Sequence, residues 1–326
     1  MTSNDESEKQ LASLPKGDGW GLDDNLCLYQ DFWFYSAQLK GVTEFQRDFK
    51  AFDSDILLST LPKSGTIWLK SMAFAIVNRA RYLVSSEKHP LLTTSPHDLV
   101  RNIEYFHSFG AYSSLSDFVS SEYSNENSRL LATHMPYHSL PESLKSDTNN
   151  SRIVYLCRNP KDNFISLWNY LNRRGANIKN PFPIEIAFEL FCNGVSLFGP
   201  VWENVLGYWK ASLENPKKVL FLKYEDLKQE PKSHVKMLAE FLGFPFSEEE
   251  ERGQVIEDIL KLSSFEFMKS LSMNKDGSIG LGIENKIFFR KGEVGDWKNQ
   301  LTTSMVERID SLFEEKLQGS GLVFES

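Results

Sequence analysis

Three basic residues follow short aliphatic runs in the sequence. Lys63 follows one run, His134 comes directly after the next, and Arg158 comes directly after a third. Lysine and arginine suit phosphate-like anions, whereas histidine titrates near neutral pH and can accept the proton of a hydroxyl group. Together the three positions predict a site that holds an anionic ligand beside a general base.

The aliphatic runs are predicted to be strands of one parallel sheet. They lack a polar–apolar alternation, which indicates burial on both faces, and they alternate with longer periodic stretches that indicate helices. The predicted strands are 56–60, 130–133, 153–157 and 219–223, and the predicted helices are 66–79, 160–172, 183–213, 233–242, 247–262 and 305–316. Ligands of such sheets bind beyond the carboxyl ends of the strands, where the three basic side chains stand.

The first predicted strand leads through the sequence LPKSGTIW into a predicted helix. A strand, a tight glycine-containing turn and a helix point backbone N–H groups at an anion. The alternative is an ordinary turn with a solvated lysine and a capping hydroxyl. The loop is not a Walker A loop, because Lys63 precedes Gly65 and no glycine lies upstream at the required spacing. This difference disfavours a nucleotide kinase.

His134 and Arg158 each have a structural alternative. A single histidine is more often a core or surface residue than a base, as neighbouring His138 illustrates. Arg158 could be a surface residue paired with Asp162. Further along, the sequence FRKGEVGDW puts two cations before a glycine, so that backbone and side chains can close on an anion together. An exposed basic turn is the alternative there.

Composition restricts the class of protein. The 326 residues contain 36 Lys and Arg against 44 Asp and Glu, a net charge of −8, which gives no support for binding nucleic acid or an anionic membrane. Hydrophobic residues make up 41%, enough for a sizeable core. Three cysteines without CxxC spacing argue against a disulfide framework and a zinc site, and favour buried thiols in a reducing compartment.

The chain is expected to be one domain with a short tail. Residues 1–12 are expected to be a disordered tail and residues 13–326 the domain. The first residues, MTSNDESEKQ, have no apolar signal core, and no apolar run approaches the length of a membrane span, so the cytoplasm is the expected location. Segments 113–127 and 274–285 are predicted to be surface loops, and the glycines of the second one suggest a lid.

The motifs PKSGTxWL, THMP, RNPxDxxxS and RKG…GDW occur in this order and resemble the cytosolic sulfotransferases, most closely the plant branch that includes flavonol, steroid and hydroxyjasmonate sulfotransferases. The resemblance covers about residues 14–324. It implies a single α/β domain with a central parallel sheet flanked by helices, in a P-loop-like architecture similar to nucleotide kinases. It also implies transfer of a sulfuryl group, without a metal, from 3′-phosphoadenosine-5′-phosphosulfate (PAPS) to a hydroxyl group.

The resemblance assigns a role to each motif. His134 would be the catalytic base, and Lys63 would contact the bridging oxygen of PAPS. The other residues that it implies at the cofactor are Ser64, Gly65, Thr66, Ile67 and Trp68 in the loop, Arg158, Ser166, Arg290, Lys291 and Gly292 at the 3′-phosphate, and Tyr224, Ser264 and Phe265, with Trp68, at the adenine. The products would be 3′-phosphoadenosine-5′-phosphate (PAP) and a sulfate ester.

The chain departs from the family pattern at two positions. Ile67 replaces a common second threonine, so one hydroxyl contact to the 5′-phosphate is lost and weaker cofactor binding is expected. Ala132 occupies a position where animal members often carry a lysine, and plant members often lack that lysine too. A protein that only bound PAP would need neither Lys63 nor His134, so their presence favours an enzyme.

The acceptor is expected to be a small apolar or phenolic molecule, such as a flavonol, a steroid or brassinosteroid, or a hydroxyjasmonate. Candidate pocket residues, for which core packing is the alternative, are Phe106, Phe109, Tyr137 and Phe198. A segment from Lys298 to Glu307 resembles a dimerisation segment of animal members. The same sequence is also typical of the start of a helix with a capping threonine. A monomer or a weak homodimer is expected.

Overall fold

The computed structural model of the protein describes residue 11 and residues 13–22, 24–109, 112, 114–120, 129–174, 181–279 and 282–324, except for the side chains of residues 108 and 109. Most of the predicted tail 1–12 lies outside the described residues, as do parts of both predicted surface loops. In the described parts of those loops, residues 115–119 and 272–276 are helical.

A small antiparallel sheet precedes the main one and was not predicted. Its strands are β1 (Lys16–Gly17), β2 (Leu26–Tyr29) and β3 (Phe32–Tyr35), in the order β1-β2-β3. The turn between β2 and β3 is Gln30-Asp31, and both residues have positive φ, 51° and 67°. A two-residue turn with positive φ matches the twist of the strands that it joins.

The main sheet is parallel, as predicted. It consists of β4 (Ile56–Thr60), β5 (Leu130–Thr133), β6 (Arg152–Cys157) and β7 (Val219–Lys223), in the order β5-β4-β6-β7. Every residue of β4 is buried, because helices cover both faces of the sheet. The order brings the carboxyl ends of all four strands to one edge.

The helices of the described residues lie mainly between and after these strands. They are α1 (Ser36–Asp48), α2 (Thr66–Asn78), α3 (Pro96–Leu99), α4 (Leu115–Val119), α5 (Glu142–Lys145), α6 (Pro160–Arg174), α7 (Ile184–Cys192), α8 (Val201–Glu214), α9 (Tyr224–Gln229), α10 (Pro231–Leu242), α11 (Glu248–Arg252), α12 (Val255–Ser263), α13 (Phe265–Ser270), α14 (Ser272–Asp276) and α15 (Thr303–Leu317). Short 3₁₀ helices are Pro90–Leu92, Ile103–Phe109, Tyr137–Ser139, Asn285–Phe288 and Asp296–Asn299.

Two predicted helices are broken in the structure. The predicted helix at 183–213 is α7 and α8, because Gly194 leaves α7 with a φ of 79° and Pro200 precedes α8. The predicted helix at 247–262 is α11 and α12, with Gln254 between them at a φ of 63°. The threonine predicted as a cap, Thr302, accepts a hydrogen bond from the Met305 N–H at the start of α15.

The sheet separates two apolar clusters of side chains. Leu58 and Leu156 pack with α2, α10 and α12 on one face, whereas Leu57 and Tyr155 pack with α6, α7 and α8 on the other. Residues two apart in a strand share a face, so each strand contributes to both clusters. The three cysteines are buried and free. None of the helices in the described ranges combines the length and the apolar character needed to cross a membrane.

Candidate active site

A cavity of about 340 Å³ lies beyond the carboxyl ends of the four parallel strands. The sequence-predicted residues that line it are Lys63, Gly65, Thr66, Ile67, Trp68, His134, Arg158, Ser166, Tyr224, Ser264, Phe265, Arg290, Lys291 and Gly292. Ser64 lies behind this wall: it is fully buried and its Oγ accepts a hydrogen bond of 3.1 Å from the Asn163 side chain. The structure thus brings residues from widely separated segments to one cavity.

The loop between β4 and α2 has an unusual backbone. Lys63 has a φ of 69° and Gly65 a φ of 106°. A Cβ atom on Gly65 would lie 2.8 Å from the Tyr224 ring, so this position needs glycine for space as well as for conformation. The turn is therefore shaped by local strain and by close packing, and it presents the start of α2 to the cavity.

The Lys63 ammonium group stands over aromatic rings. Its Nζ lies 4.6 Å from the ring centroid of Tyr170 and 5.6 Å from that of Phe288. Burial, together with the positive charges of Arg158 and Arg290, lowers the pKa of Lys63 to about 7. An anion in the cavity would raise the pKa of Lys63 and favour its charged form, because it would place a negative charge beside the ammonium group.

Arg158 forms one side of a second cationic region. Its Nη2 donates a hydrogen bond of 2.6 Å to the Glu293 carbonyl oxygen, and the guanidinium lies 4.8 Å from the Tyr224 ring centroid. The Nε atoms of Arg158 and Arg290 are buried without a hydrogen-bond partner among the described residues. Buried donors are normally satisfied, so an unpaired Nε on each of two cavity-lining arginines fits an anionic ligand such as a phosphate group.

The C-terminal RKG segment is attached to α6 by Asp162. This buried carboxylate accepts hydrogen bonds from the backbone N–H groups of Gly295, at 2.7 Å, and Trp297, at 3.1 Å. Arg290 and Lys291 both pair with Asp296. Burial alone would raise the pKa of Asp296, but the hydrogen bonds from Lys291 and Arg290 lower it overall. The ion pairs of Arg290 and Lys291 with Asp296 thus connect the residues before Gly292 to those after it.

Aromatic rings surround the part of the cavity next to Gly292. Trp68 and Tyr224 pack edge to face with ring centroids 5.4 Å apart, and the Tyr224 hydroxyl donates to the Gly292 carbonyl oxygen at 2.9 Å. A Cβ atom on Gly292, whose φ is 71°, would lie 2.6 Å from the Phe265 ring. Flat aromatic surfaces beside one hydroxyl group suit a planar heterocycle such as adenine.

One ring nitrogen of His134 forms a hydrogen bond, and the other has no hydrogen-bond partner among the described residues. Its Nδ1 lies 2.7 Å from the Thr60 carbonyl oxygen, so Nδ1 carries the hydrogen and donates it. Its Nε2 has no hydrogen bond to a described residue and is left with a lone pair at the cavity. Burial lowers the pKa of His134, against the opposing effects of Glu104 and of the Thr60 hydrogen bond. The imidazole is therefore neutral at neutral pH, and a general base must be neutral to accept a proton.

A buried carboxylate positions the segment that carries His134. Glu104 is 1% exposed and accepts hydrogen bonds of 2.9 Å from the His134 backbone N–H, the Thr133 hydroxyl and the Asn102 side-chain amide. Because the Asn102 Nδ2 faces this carboxylate, its Oδ1 faces the other way and accepts a hydrogen bond from Lys70. The backbone of His134 is thereby connected to a lysine on α2.

Lys70 also contacts a second histidine at the cavity, His97. The Lys70 Nζ lies 3.1 Å from His97 Nδ1. The charged form of Lys70 has no lone pair, so below the pKa of Lys70 the Nδ1 of His97 accepts and the hydrogen of this ring sits on Nε2. Burial lowers the pKa of Lys70 to about 7, whereas Glu104 and Asp98 favour its charged form. The two cavity histidines, His97 and His134, therefore have opposite tautomers.

Three of the four aromatic residues predicted for the acceptor pocket do not line the cavity. Phe106 packs against Phe118 in the core, and Tyr137 packs against Tyr208. Phe198 is fully buried with its ring centroid 5.5 Å from that of His134, so it lies behind the histidine and not on the cavity wall. The side chain of Phe109 lies outside the described residues.

Other residues line the cavity wall near His134. They are His97, Asn102, Tyr105, Tyr170, Arg174, Leu197 and Phe288. The family motifs did not indicate them. Two of them had a signal in the sequence, since Tyr170 and Arg174 lie four and eight residues after Ser166 and so share its face of α6. In the described part of the chain, no group of three or more His, Cys, Asp or Glu side chains could hold a metal ion.

Comparisons with known proteins agree with this geometry. Residues 53–321 match the family described as "Sulfotransferase domain". "Cytosolic sulfotransferase 12" of Arabidopsis thaliana is 47% identical over 98% of this chain and 94% of its own length, and "Cytosolic sulfotransferase 15" of the same plant is 45% identical over 98% and 87%.

Solved structures agree as well. A putative steroid sulphotransferase of Arabidopsis thaliana is 40% identical, with a TM-score of 0.74 over 100% of this chain and 98% of that chain. A mouse sulfotransferase complexed with PAP is 27% identical, with a TM-score of 0.69 over 90% and 95%. The motifs, the parallel sheet and the identity along nearly the whole length agree: the chain belongs to the sulfotransferase family, among the cytosolic sulfotransferases of plants.

Proposed function

We propose that this protein transfers the sulfuryl group of PAPS to the hydroxyl group of a small organic acceptor. The observation that carries the proposal is the arrangement of one cavity: two cationic regions, at Lys63 and at Arg158 with Arg290, and an open Nε2 of His134. The mouse relative complexed with PAP supports the same ligand here.

The cationic regions suit the two ends of PAPS. Arg158, Ser166 and Arg290–Gly292 would hold the 3′-phosphate, and the two buried Nε donors of the arginines would find their partner there. The loop from Lys63 to Trp68 would hold the 5′-phosphosulfate. Trp68, Tyr224 and Phe265, next to Ser264, would enclose the adenine. A ligand without a 3′-phosphate, such as ATP, would leave the Arg158 region unsatisfied, which gives the site its selectivity.

The proposed reaction is an in-line displacement at sulfur. His134 Nε2 takes the proton of the acceptor hydroxyl group as the acceptor oxygen forms a bond to sulfur, and the bond from sulfur to the bridging oxygen breaks. Lys63 stabilises the charge that develops on this departing oxygen of PAP. Positioning and charge stabilisation supply most of the catalysis in such transfers. The products are PAP and a sulfate ester, and the proton remains on the imidazole.

Label transfer tests the proposal directly. The protein is incubated with ³⁵S-labelled PAPS and a panel of flavonols, steroids and hydroxyjasmonates, without added metal and with a chelator present. We expect labelled sulfate esters from the wild-type protein, formed about 10²- to 10⁴-fold more slowly by His134→Ala, which should still bind PAP in calorimetry. If no acceptor becomes labelled although the wild-type protein binds PAP, the chain is a PAP-binding protein and the proposed enzyme is wrong.

A further inference from the structure

His97 is a histidine on the cavity wall that the proposed reaction does not use. It is the second residue of α3, where the Ser95 hydroxyl accepts a hydrogen bond of 3.4 Å from the His97 backbone N–H. Its ring packs against the Phe288 ring at a centroid distance of 4.7 Å. The start of the helix and the aromatic contact together fix the position of the imidazole.

His97 lies close to both side chains that act in the proposed reaction. Burial holds its pKa well below the ordinary value of 6.5, and the positive charges of Lys70, His134 and Lys63 add to this effect. The Phe288 ring that packs against His97 also lies 5.6 Å from the Lys63 Nζ. Lys63 would contact the departing oxygen of PAPS and His134 the acceptor oxygen, so the sulfuryl group would lie in the part of the cavity that His97 lines.

Lys70 determines which nitrogen of His97 carries the hydrogen. The Nδ1 of His97 lies 3.1 Å from the Lys70 Nζ and accepts a hydrogen bond from the charged form of this lysine. An anionic ligand in the cavity favours that charged form. The hydrogen of the neutral ring is then on Nε2, which points away from Nδ1 and has no hydrogen bond to a described residue. In this form His97 is a donor and cannot replace His134 as the base, because its Nε2 has no free lone pair.

The outer oxygens of the sulfuryl group need donors of their own. In an in-line displacement the entering and departing oxygens lie on one line through sulfur, and the three outer oxygens lie around that line. His134 acts on the entering oxygen and Lys63 on the departing one. In the similar phosphoryl transfers the charge of the transition state spreads over the three outer oxygens, and hydrogen-bond donors already in position stabilise it. A neutral N–H group at the side of the cavity suits this task.

We propose that the Nε2–H group of His97 donates a hydrogen bond to an outer oxygen of the sulfuryl group during transfer, and that Lys70 keeps the hydrogen on this nitrogen. This rests on the proposed sulfuryl transfer. No proton leaves His97, because His134 takes the proton of the acceptor. The contact is made to the donor group that every acceptor receives, so it raises the rate of transfer without selecting among acceptors.

Three substitutions at position 97 separate the donor from the rest of the side chain. His97→Phe removes the donor and keeps an aromatic ring against Phe288. His97→Gln can place an amide N–H group near the position of the imidazole Nε2. His97→Asn places its shorter amide near the position of Nδ1, where it can keep the contact with Lys70 but does not reach the sulfuryl group. The pair of amides therefore differs mainly in the presence of a donor at the cavity.

The test measures kcat and KM of sulfation with PAPS, for 1-naphthol and for a second acceptor found in the label-transfer panel. We expect His97→Phe and His97→Asn to lower kcat about 10²- to 10³-fold, the range for removal of one such donor. The loss should be equal for the two acceptors, with the KM of each unchanged. His97→Gln should recover about 10-fold in kcat, as one hydrogen bond allows. PAP lacks the sulfuryl group, so its Kd in calorimetry should be that of the wild-type protein in all three variants.

His138→Phe is the matched control. His138 is exposed and does not line the cavity, so the same substitution there should leave kcat at the wild-type value. Melting temperatures show whether each variant is folded. If His97→Phe does not fold, the comparison of His97→Gln with His97→Asn still decides, because both side chains are neutral amides and only the longer one brings a donor to the cavity.

The outcomes separate the two proposals. If the wild-type protein forms sulfate esters and the His97 variants keep its kcat, or if His97→Gln and His97→Asn lose activity equally, the role of His97 is rejected and sulfuryl transfer stands. A loss that differs between acceptors together with a raised KM would also reject it, since His97 would then contact the acceptor. A Kd for PAP weakened as much as kcat would reject it in favour of a cofactor contact. If the wild-type protein sulfates no acceptor, the proposed function fails and this inference fails with it.

Discussion

The Nδ1 of His134 lies 2.7 Å from the carbonyl oxygen of Thr60, the last residue of β4. This contact ties the proposed base to the strand that leads into the Lys63 loop. The base and the leaving-group lysine are thus held by neighbouring strands of one sheet. A backbone fixed in this way would hold the two side chains in place for the proposed in-line transfer.

Activity should depend on the neutral form of His134. Because burial lowers the pKa of His134 below its ordinary value of 6.5, the base is deprotonated at neutral pH, and kcat/KM should fall only as the pH drops through a value below 6.5. His134→Ala should lower kcat by about 10²- to 10⁴-fold. A pH–rate profile from pH 5 to 8 measures the first effect. A fall in kcat/KM centred at or above pH 6.5, while the enzyme remains folded, would contradict a lowered pKa at the titrating base.

PAP binding should take up a proton on Lys63. The pKa of this lysine is about 7 in the free protein, and an anion beside it raises the pKa in the complex. Between these two values binding adds a proton, so affinity should fall as the pH rises above 7. Calorimetry at pH 8 in buffers of different ionisation enthalpy measures the uptake. Lys63→Met should remove most of it; undiminished uptake in this variant would assign the proton to another group.

A hydroxyl group at position 67 should strengthen PAP binding. Ile67 lines the cavity at the second residue of α2, next to Thr66, whose hydroxyl lies 2.7 Å from that of Thr60. Ile67→Thr adds a hydrogen bond worth about 0.5–1.5 kcal/mol, a roughly 2- to 12-fold lower Kd. Ile67→Val is the control, because valine has nearly the shape of threonine without the hydroxyl. Equal affinities of the two variants would show that the extra hydroxyl does not reach the phosphate.

His97 and His134 should show opposite tautomers in solution. ¹⁵N NMR of the imidazole nitrogens distinguishes them, with assignment by His97→Phe and His134→Phe. We expect the hydrogen on Nε2 of His97 and on Nδ1 of His134, because the former faces a lysine and the latter a carbonyl oxygen. Lys70→Met should remove the preference at His97 and leave His134 unchanged. The same tautomer at both histidines in the wild-type protein would contradict the network.

Part of this structure could be predicted from the sequence for clear physical reasons. The four parallel strands are short and mostly apolar, and polar or aromatic residues that line the cavity follow them, so local patterns located the sheet and most of the predicted residues that line the cavity. The hairpin of β2 and β3 was missed because its turn, Gln30-Asp31, lacks the glycine or asparagine that usually marks positive φ. The Gln30 side chain accepts a hydrogen bond of 2.7 Å from the Gln46 amide of α1, a contact that the local sequence does not reveal.

The acceptor side could not be predicted in the same way. Its wall is assembled from separate segments, such as Tyr105 in a 3₁₀ helix and Leu197 in the connection between α7 and α8. Of the aromatic residues proposed from the sequence, Phe106, Tyr137 and Phe198 pack with the core. A one-residue difference, as between Tyr105 and Phe106, decides which side chain reaches the cavity, and neighbouring aromatic residues do not reveal that choice.

The single face of α6 that carries Ser166, Tyr170 and Arg174 has an evolutionary consequence. Under the proposed function the first turns of the helix serve the donor, and its last turn lines another part of the same cavity. Selection can therefore change the residue at the end of the helix without disturbing the phosphate contacts two turns earlier. A substitution at the end of the helix in a gene duplicate changes the far part of the cavity and leaves the proposed phosphate site intact, so that one donor can serve many products.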